Sequence, residues 1–143
     1  ILRDIHNNIG CGNTLVDGDI DILPTEIAEI KPLAIQRRFS DAFSEGGFSY
    51  IIGNPPYVET KFFKASSSTM HKYLKEKYNS FEGKVDLAVL LLERCLGLLK
   101  DNGTLGIIIQ RRWFKTSYGG SARNVIANSG YLKTLLDINQ NQL

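Results

Sequence analysis

Residues 48–57 read Phe-Ser-Tyr-Ile-Ile-Gly-Asn-Pro-Pro-Tyr. The first five are mostly apolar and β-prone, which is typical of a strand buried inside a sheet. The residues that follow cannot extend this strand, because a proline has no N–H to donate to a sheet ladder. We therefore predict a buried strand over 48–52 that runs into a stiff loop.

Outward from this strand, helical and strand-like patterns alternate along the chain. Besides 48–52, short strands are predicted over 8–15, 104–109 and 132–138. Helices are predicted over 33–43, 70–79, 86–100 and 117–128, surface connections over 17–31 and 58–69, and a turn at 101–103. Such alternation indicates an α/β fold of βαβ units, with a mainly parallel sheet and helices on both faces. Because ligands bind beyond the carboxyl ends of the strands, the site is expected in 13–17, 53–60 and 110–118.

Size and composition are those of one ordinary globular domain. The 143 residues are 43% hydrophobic and 22% charged, which excludes a disordered chain, and the net charge of +2 neither indicates nor excludes nucleic-acid binding. No apolar run is long enough for a membrane span. Cys11 and Cys95 lie far apart and no zinc-ligand spacing occurs, so we expect no disulfide, no metal and a cytoplasmic location. The start at Ile1, without an initiator Met or signal-peptide pattern, suggests a piece of a longer chain.

The loop at Asn54-Pro55-Pro56-Tyr57 carries the most specific chemical signal. Each proline fixes its own φ and extends the residue before it, so the loop is stiff. Prolines donate no backbone hydrogen bond, so the loop offers mainly acceptors, with an aromatic ring beside them. Such a cluster suits a flat molecule that carries an NH₂ group. The alternative is a plain turn at the end of a strand, in which Tyr57 covers the core.

The string Gly53-Asn54-Pro55-Pro56-Tyr57-Val58 resembles the catalytic motif of amino-methyltransferases that use S-adenosylmethionine. Residues 48–52, and 83–108 after the motif, resemble the strand before it and the helix, turn and strand after it. Trp113-Phe114, Tyr118-Gly119 and Arg123 are similar to the next loop and helix of adenine-specific DNA methyltransferases. The most similar group is the gamma type, which includes TaqI-like methylases and fused type IIG restriction enzymes. The resemblance covers nearly the whole chain and implies part of a Rossmann-like methyltransferase fold.

This resemblance implies a role for each site residue. Asn54, Pro55, Pro56 and Tyr57 would be catalytic, acting on an adenine flipped out of double-stranded DNA. Asn13, Thr14 and Asn54 would bind S-adenosylmethionine. Residues 11–15 resemble a cofactor motif in which an Asp usually meets the adenine of the cofactor, and Asn13, which stands there, still offers an amide oxygen.

The resemblance also implies what the chain lacks. The glycine-rich cofactor loop, the acid that holds the cofactor ribose and the C-terminal target-recognition domain of the family are not in the sequence, and Gln110 replaces a usual proline. Residues 1–143 are therefore expected to be the catalytic half of a methyltransferase domain, with a restriction endonuclease possible as a fused region or a partner.

Cations near the loop are candidates for contact with DNA phosphates. These are Lys61, Arg111, Arg112 and Lys115. A solvated helix face explains the Lys-rich and aromatic stretch from Lys61 to Tyr78 equally well, and Arg123 is expected to be structural.

Two other functions are open from the sequence. Methyltransferases that act on protein glutamine or on ribosomal RNA guanine also carry an Asn-Pro-Pro-Tyr string on this fold. A module that binds DNA or a partner subunit without catalysis is the second alternative.

Overall fold

The structure is a computed structural model that describes residues 8–21, 23–58, 68–82, 85–116, 119–129 and 132–138. The helices and strands of these residues are, in chain order, α1 (Pro24–Ile30), α2 (Ile35–Arg38), α3 (Ser40–Ser44), β1 (Phe48–Gly53), α4 (Ser68–Lys77), α5 (Leu87–Leu98), β2 (Leu99–Ile107), α6 (Arg112–Lys115) and α7 (Gly120–Ser129). The predicted helices at 70–79, 86–100 and 117–128 are confirmed as α4, α5 and α7, with ends that differ by up to three residues.

The two strands lie side by side and run parallel. Since α4 and α5 lie between them in the chain, they form a βαβ arrangement. The α/β class and the parallel pairing are thus confirmed at the scale of two strands. In the part of the chain that the structure describes, the sheet has no third strand.

The predicted turn at Asp101–Gly103 is wrong, because the chain stays in β2 there. Phe48 pairs with Leu99 and Tyr50 with Thr104, so two steps along β1 correspond to five along β2. The surplus residues form a bulge, in which Asn102 adopts a positive φ of 61°. Asn tolerates this conformation better than most residues, so the bulge absorbs the Asp-Asn-Gly sequence without reversing the chain.

Helix α5 forms the centre of the core. The Asp86 carboxylate accepts a hydrogen bond from the Ala88 N–H over 3.0 Å and so caps the N-terminus of the helix. From there the helix is buried through its first turns, and it packs with side chains of α4 and of the segment at 15–16. The buried apolar side chains at the centre are Val16, Leu74, Val85, Val89 and Leu90, each at most 2% exposed.

β1 was predicted to be buried, but its residues are at most half-buried, and its two faces differ. On the face of the sheet towards α5, Leu105 and Ile107 of β2 pack against the core. On the other face, Tyr50 is 77% and Ile52 is 90% exposed. Of the described helices, α2 and α3 cover only the start of this face, where Phe39 between them and Phe43 of α3 contact Phe48. The prediction of helices covering both faces is therefore correct for the core side and incomplete for the other.

Two segments before β1 differ from prediction. The segment 17–31, predicted as a surface connection, contains α1. Pro24 is compatible with the first turn of a helix, and the Glu26 carboxylate accepts from the Leu23 N–H over 3.2 Å, which stabilises the start. The predicted helix over 33–43 is broken at Phe39 into α2 and α3. The break accompanies the packing of Phe39 and Phe43 on Phe48, at ring-centroid distances of 5.7 and 5.3 Å.

Two predicted strands are wrong. In 8–15, the sheet-like pairing among the described residues is a single bridge between Asn13 and Pro32. Residues 132–138 have no regular structure, and Leu132, Leu136 and Ile138 are at least 60% exposed. An apolar run becomes a strand only where a neighbouring strand pairs with it, and here none of the described residues does so. The predicted connection at 58–69 lies mainly outside the described residues, although α4 already begins at Ser68.

Gly47 lies just before β1, where the chain comes close to the start of β2. Substitutions there test this packing. It has a φ of +126°, and a Cβ added there would lie 2.7 Å from the Leu98 carbonyl oxygen and 2.9 Å from the Lys100 nitrogen. Gly46 is a matched control, since its φ is +92° but its added Cβ would come no closer than 3.6 Å to Lys100. We expect Gly46→Ala to cost about 1–2 kcal/mol of unfolding free energy and Gly47→Ala at least about 1 kcal/mol more. Urea unfolding followed by Trp113 fluorescence measures both, and equal costs would contradict this packing.

Candidate active site

The loop that follows β1 stays attached to the sheet by one hydrogen bond beyond the strand. The Ile108 N–H donates to the Gly53 carbonyl over 3.0 Å. After this point Pro55 is buried, whereas Asn54 and Pro56 are exposed. The loop therefore presents Asn54 to solvent at the carboxyl edge of the sheet, where α/β proteins bind their ligands.

Tyr57 holds the side chain of Asn54. Its hydroxyl donates to Asn54 Oδ1 over 3.1 Å and lies 3.5 Å from the carbonyl oxygen of Ile108. In this arrangement the amide oxygen of Asn54, rather than its NH₂ group, faces the hydroxyl. The side chain of Tyr57 is also 45% exposed, so part of its ring is accessible. Sequence reasoning gave the hydroxyl no role, although the three-residue spacing across two prolines is a signal that points to it.

The end of the loop is bound to the first turn of α5. The Leu87 N–H donates to the carbonyl of Val58 over 2.9 Å, which satisfies one of the N–H groups left free at a helix start. Asp86, which caps the same turn, is 5% exposed, and Arg112 Nη2 lies 3.9 Å from its Oδ2. The position of the loop thus depends on α5.

Asn13 lies in a tight turn that its own side chain stabilises. Asn13 Oδ1 accepts from the Leu15 N–H over 3.1 Å, and Nδ2 is 3.9 Å from the sulfur of Met70. Asn13 and Thr14 are both half-buried. The amide oxygen of Asn13 has a second acceptor position, and the Thr14 hydroxyl is both donor and acceptor. This donor and acceptor set fits the amino and hydroxyl groups of an adenosine.

Side chains of α5 and of the end of α4, which together are called the helical layer below, hold the turn that begins at Asn13. Arg94 of α5 donates from Nε to the Thr14 carbonyl over 3.2 Å and forms an ion pair with Asp17 through Nη2. Tyr78, directly after α4, donates its hydroxyl to the Leu15 carbonyl over 2.8 Å. Burial raises the pKa of Tyr78, so its hydroxyl remains a donor at any working pH. Sequence reasoning did not identify these contacts, which join residues far apart in the chain.

The same segment continues into a charged cluster. The Tyr73 hydroxyl accepts from the Asp17 N–H over 3.1 Å and donates to Asp19 over 2.9 Å. Lys77 Nζ lies 2.9 Å from Asp19 Oδ2 and 3.6 Å from Asp17 Oδ2. The hydrogen bond with Lys77 lowers the pKa of Asp19, and the same bond raises the pKa of Lys77. Both groups therefore stay charged around neutral pH.

Comparison with known proteins places the chain. Residues 2–143 match the family described as Eco57I restriction-modification methylase. The chain belongs to this family. Its membership confirms the resemblance to the methylases of restriction–modification systems that the Asn-Pro-Pro-Tyr string indicated.

Individual members of the methylase family show how much of a protein the chain represents. It is 29% identical, over all of its 143 residues, to the type II restriction enzyme and methyltransferase RM.Eco57I of Escherichia coli, and covers 14% of that protein. It is 33% identical over 94 residues, or 66% of the chain, to the type II methyltransferase M.PaeR7I of Pseudomonas aeruginosa, and covers 16% of it. A third relative, M.XhoI of Xanthomonas vasicola, is 31% identical over 64% of the chain and is also covered to 16%. The chain thus spans about one-sixth or less of the length of these relatives.

Two of the four cations predicted to contact DNA face carboxylates in this methylase-family chain. Arg111 Nη1 lies 3.2 Å from Asp137 Oδ2, and Arg112 approaches Asp86 as described above. Lys115, at the end of α6, is exposed, and Lys61 lies outside the described residues. Any phosphate contact of the two arginines is therefore made in competition with these acids.

Arg123 has the structural role that was predicted for it. Its Nη1 donates to the carbonyl oxygens of Trp113 over 2.8 Å and of Thr116 over 3.2 Å. These bonds join α7 to α6, where the buried Trp113 stacks on Phe114 with ring centroids 4.0 Å apart.

Within the described ranges, no three His, Cys, Asp or Glu side chains come together in a set that could hold a metal ion. No helix in those ranges has both the length and the apolar character that a membrane span requires.

Proposed function

We propose that this chain carries the catalytic residues of a site-specific DNA adenine methyltransferase of a restriction–modification or phage-defence system. The reaction transfers the methyl group of S-adenosylmethionine to the exocyclic amine of an adenine flipped out of the duplex. The observation that carries the proposal is the Asn54–Tyr57 pair, hydrogen-bonded and exposed at the carboxyl end of β1 in a chain of the methylase family.

Asn54 activates the amine by holding it. The exocyclic amine of adenine is a poor nucleophile, because its lone pair is conjugated with the ring. Asn54 Oδ1 uses one acceptor position for the Tyr57 hydroxyl and keeps a second for one amine hydrogen. The Pro55 carbonyl accepts the other, which draws the nitrogen towards tetrahedral geometry and directs its lone pair at the methyl group. An amide is no base at neutral pH, so the proton leaves after methyl transfer.

Tyr57 provides the surface for the base. The target amine is unreachable inside a duplex, so the adenine must leave the stack before it reaches Asn54. The accessible part of the Tyr57 ring lies beside the amide that binds the amine, so the ring can stack on the base while its hydroxyl orients Asn54. Pro56 keeps the distance between Asn54 and Tyr57 short and fixed.

Asn13, Thr14 and Asn54 would hold the cofactor, which supplies an electrophilic methyl group on sulfur when bound. Asn13 offers its free acceptor position to an adenine amine, and the neighbouring Thr14 hydroxyl offers a polar contact beside it. The Asn54 amide then faces both the cofactor and the base. Contacts to the rest of the cofactor are expected from parts of the protein that precede residue 1.

We also propose which residues contact DNA around this site and how the chain fits into a longer protein. Lys61, Arg111, Arg112 and Lys115 are proposed to bind phosphates near the flipped base, as sequence reasoning suggested. We propose that residues 1–143 form the catalytic half of a methyltransferase domain in a longer cytoplasmic protein. One of the relatives combines a restriction enzyme with a methyltransferase, which supports a restriction endonuclease as a fused region or a partner.

Asn54→Ala in the full-length protein is expected to lower methyl transfer about 10²–10³-fold, because the removed oxygen is a preorganised acceptor for the reacting amine. Folding should stay nearly unchanged, and so should cofactor affinity, because Asn54 is only one of several groups that would hold the cofactor. Transfer of labelled methyl groups to DNA measures the rate, and Asn124→Ala, on the exposed side of α7, is the control. Activity of the Asn54 variant within about threefold of wild type would contradict the assignment. If the wild-type protein methylates ribosomal RNA or a release factor but not DNA, that molecule replaces DNA as the proposed substrate.

Tyr57→Ala is expected to harm activity more than Tyr57→Phe. The ring contributes about 1–3 kcal/mol by stacking, whereas the hydroxyl contributes about 0.5–1.5 kcal/mol by orienting Asn54. Methylation rates, affinity for DNA with an unpaired target adenine and melting temperature are compared in both variants. A large loss of melting temperature in Tyr57→Ala, without loss of base affinity, would show that the ring packs in the core instead. Equal damage by Phe and Ala would rule out stacking.

The 143-residue chain alone is expected neither to bind S-adenosylmethionine measurably nor to methylate DNA. A contact from Asn13 contributes about 0.5–1.5 kcal/mol, whereas micromolar affinity requires about 8 kcal/mol. Calorimetric titration of the purified chain is the test. A dissociation constant in the low micromolar range would place the whole cofactor site inside these residues.

A further inference from the structure

Helix α5 contacts both parts of the proposed site. At its start, the Leu87 N–H binds the Val58 carbonyl at the end of the catalytic loop. Seven residues later, Arg94 binds the Thr14 carbonyl in the turn that begins at Asn13. At 1.5 Å per residue, these two anchor points are about 10 Å apart along one rigid helix. One helix thus links the loop and the turn directly.

Arg94 is the anchor at the cofactor end. Its side chain is 10% exposed and that of Asp17 is 20% exposed, so the ion pair is largely shielded from water. One guanidinium bridges Thr14 and Asp17, and so holds the turn just beyond Asn13 at two points. Only a planar group with several N–H donors can do this, because a lysine ammonium on a flexible stem cannot occupy both positions in fixed geometry.

We propose that Arg94 is a positioning residue for the cofactor. By holding Thr14 and Asp17 it fixes the Asn13 turn against α5, and so sets where the adenosine end of S-adenosylmethionine lies relative to Asn54. Tyr78 assists by holding the Leu15 carbonyl. This inference rests on the proposed function, and it assigns a role in cofactor binding to residues of the helical layer that do not themselves contact the cofactor.

The test compares Arg94→Lys with Glu93→Gln in the full-length protein. Glu93 precedes Arg94 on α5 and is likewise engaged in long-range hydrogen bonds, accepting from the Asn79 and Ser80 N–H groups over 2.9 and 2.8 Å. Those bonds hold Asn79 and Ser80, which follow Tyr78, and Glu93 reaches the Asn13 turn only indirectly through that neighbour. Glu93→Gln therefore controls for general loosening of the helical layer.

For Arg94→Lys we expect the dissociation constant for S-adenosylmethionine, measured by calorimetry, and the KM for it to rise about tenfold. The kcat and the KM for DNA should stay within about twofold of wild type. Glu93→Gln should lower the melting temperature and change both cofactor constants by no more than about threefold, clearly less than Arg94→Lys. Tyr78→Phe should raise the cofactor dissociation constant in the same direction but less, by about threefold.

An unchanged cofactor dissociation constant in Arg94→Lys, or an equal rise in Glu93→Gln, overturns the proposal. If Arg94→Lys fails to fold, Asp17→Asn removes the charged partner and carries the same expectation. Wild-type protein that binds the cofactor but methylates no DNA would overturn the proposed function alone, since the calorimetric comparison still stands. Wild-type protein that binds no cofactor would overturn both.

Discussion

The hydrogen bond from the Leu87 N–H to the Val58 carbonyl joins a rigid loop to a rigid helix, and the site depends on it. The first N–H groups of a helix have no partner within the helix, so a loop carbonyl that accepts one of them gains a fixed position. Asp86 occupies the Ala88 N–H of the same turn, which leaves the Leu87 N–H to the loop. With one end of the loop bonded to α5 and the other end continuous with β1, Asn54 and Tyr57 have little freedom to move.

Those parts of the fold that follow from local patterns were predictable. The apolar run before the prolines marks β1, and the leucine-rich stretch after Asp86 marks α5, because its periodicity and its cap agree. The loop at Asn54–Tyr57 was predictable for a similar reason, since two consecutive prolines after a strand constrain the backbone whatever surrounds them. The family match confirms the resemblance that this loop suggested.

Other features depend on contacts between distant residues, which a local pattern does not reveal. The run at 132–138 has the composition of a strand, but a strand needs a neighbour to pair with. The break at Phe39 accompanies the packing of its ring on Phe48. Arg94 and Asp17 are 77 positions apart and read separately as ordinary surface charges, so only the structure shows that they hold the Asn13 turn. The contact between the Tyr57 hydroxyl and Asn54 lies between these cases. The two residues are only three positions apart, but the sequence does not show that the hydroxyl points at the amide.

The bulge in β2 separates chain length from site geometry. The surplus residues around Asp101–Gly103 lie outside the pairing that aligns Tyr50–Gly53 with Thr104–Ile107. Residues gained or lost there change the length of the protein but leave the register beyond the bulge, and hence the ends of both strands, in place. Asp101 and Asn102 are also exposed. Gly103 is packed closely, since an added Cβ would lie 3.0 Å from the Phe48 carbonyl oxygen. The exposed pair Asp101 and Asn102 is therefore the part of the bulge where an engineer can insert a peptide tag or reporter away from the loop at Asn54–Tyr57.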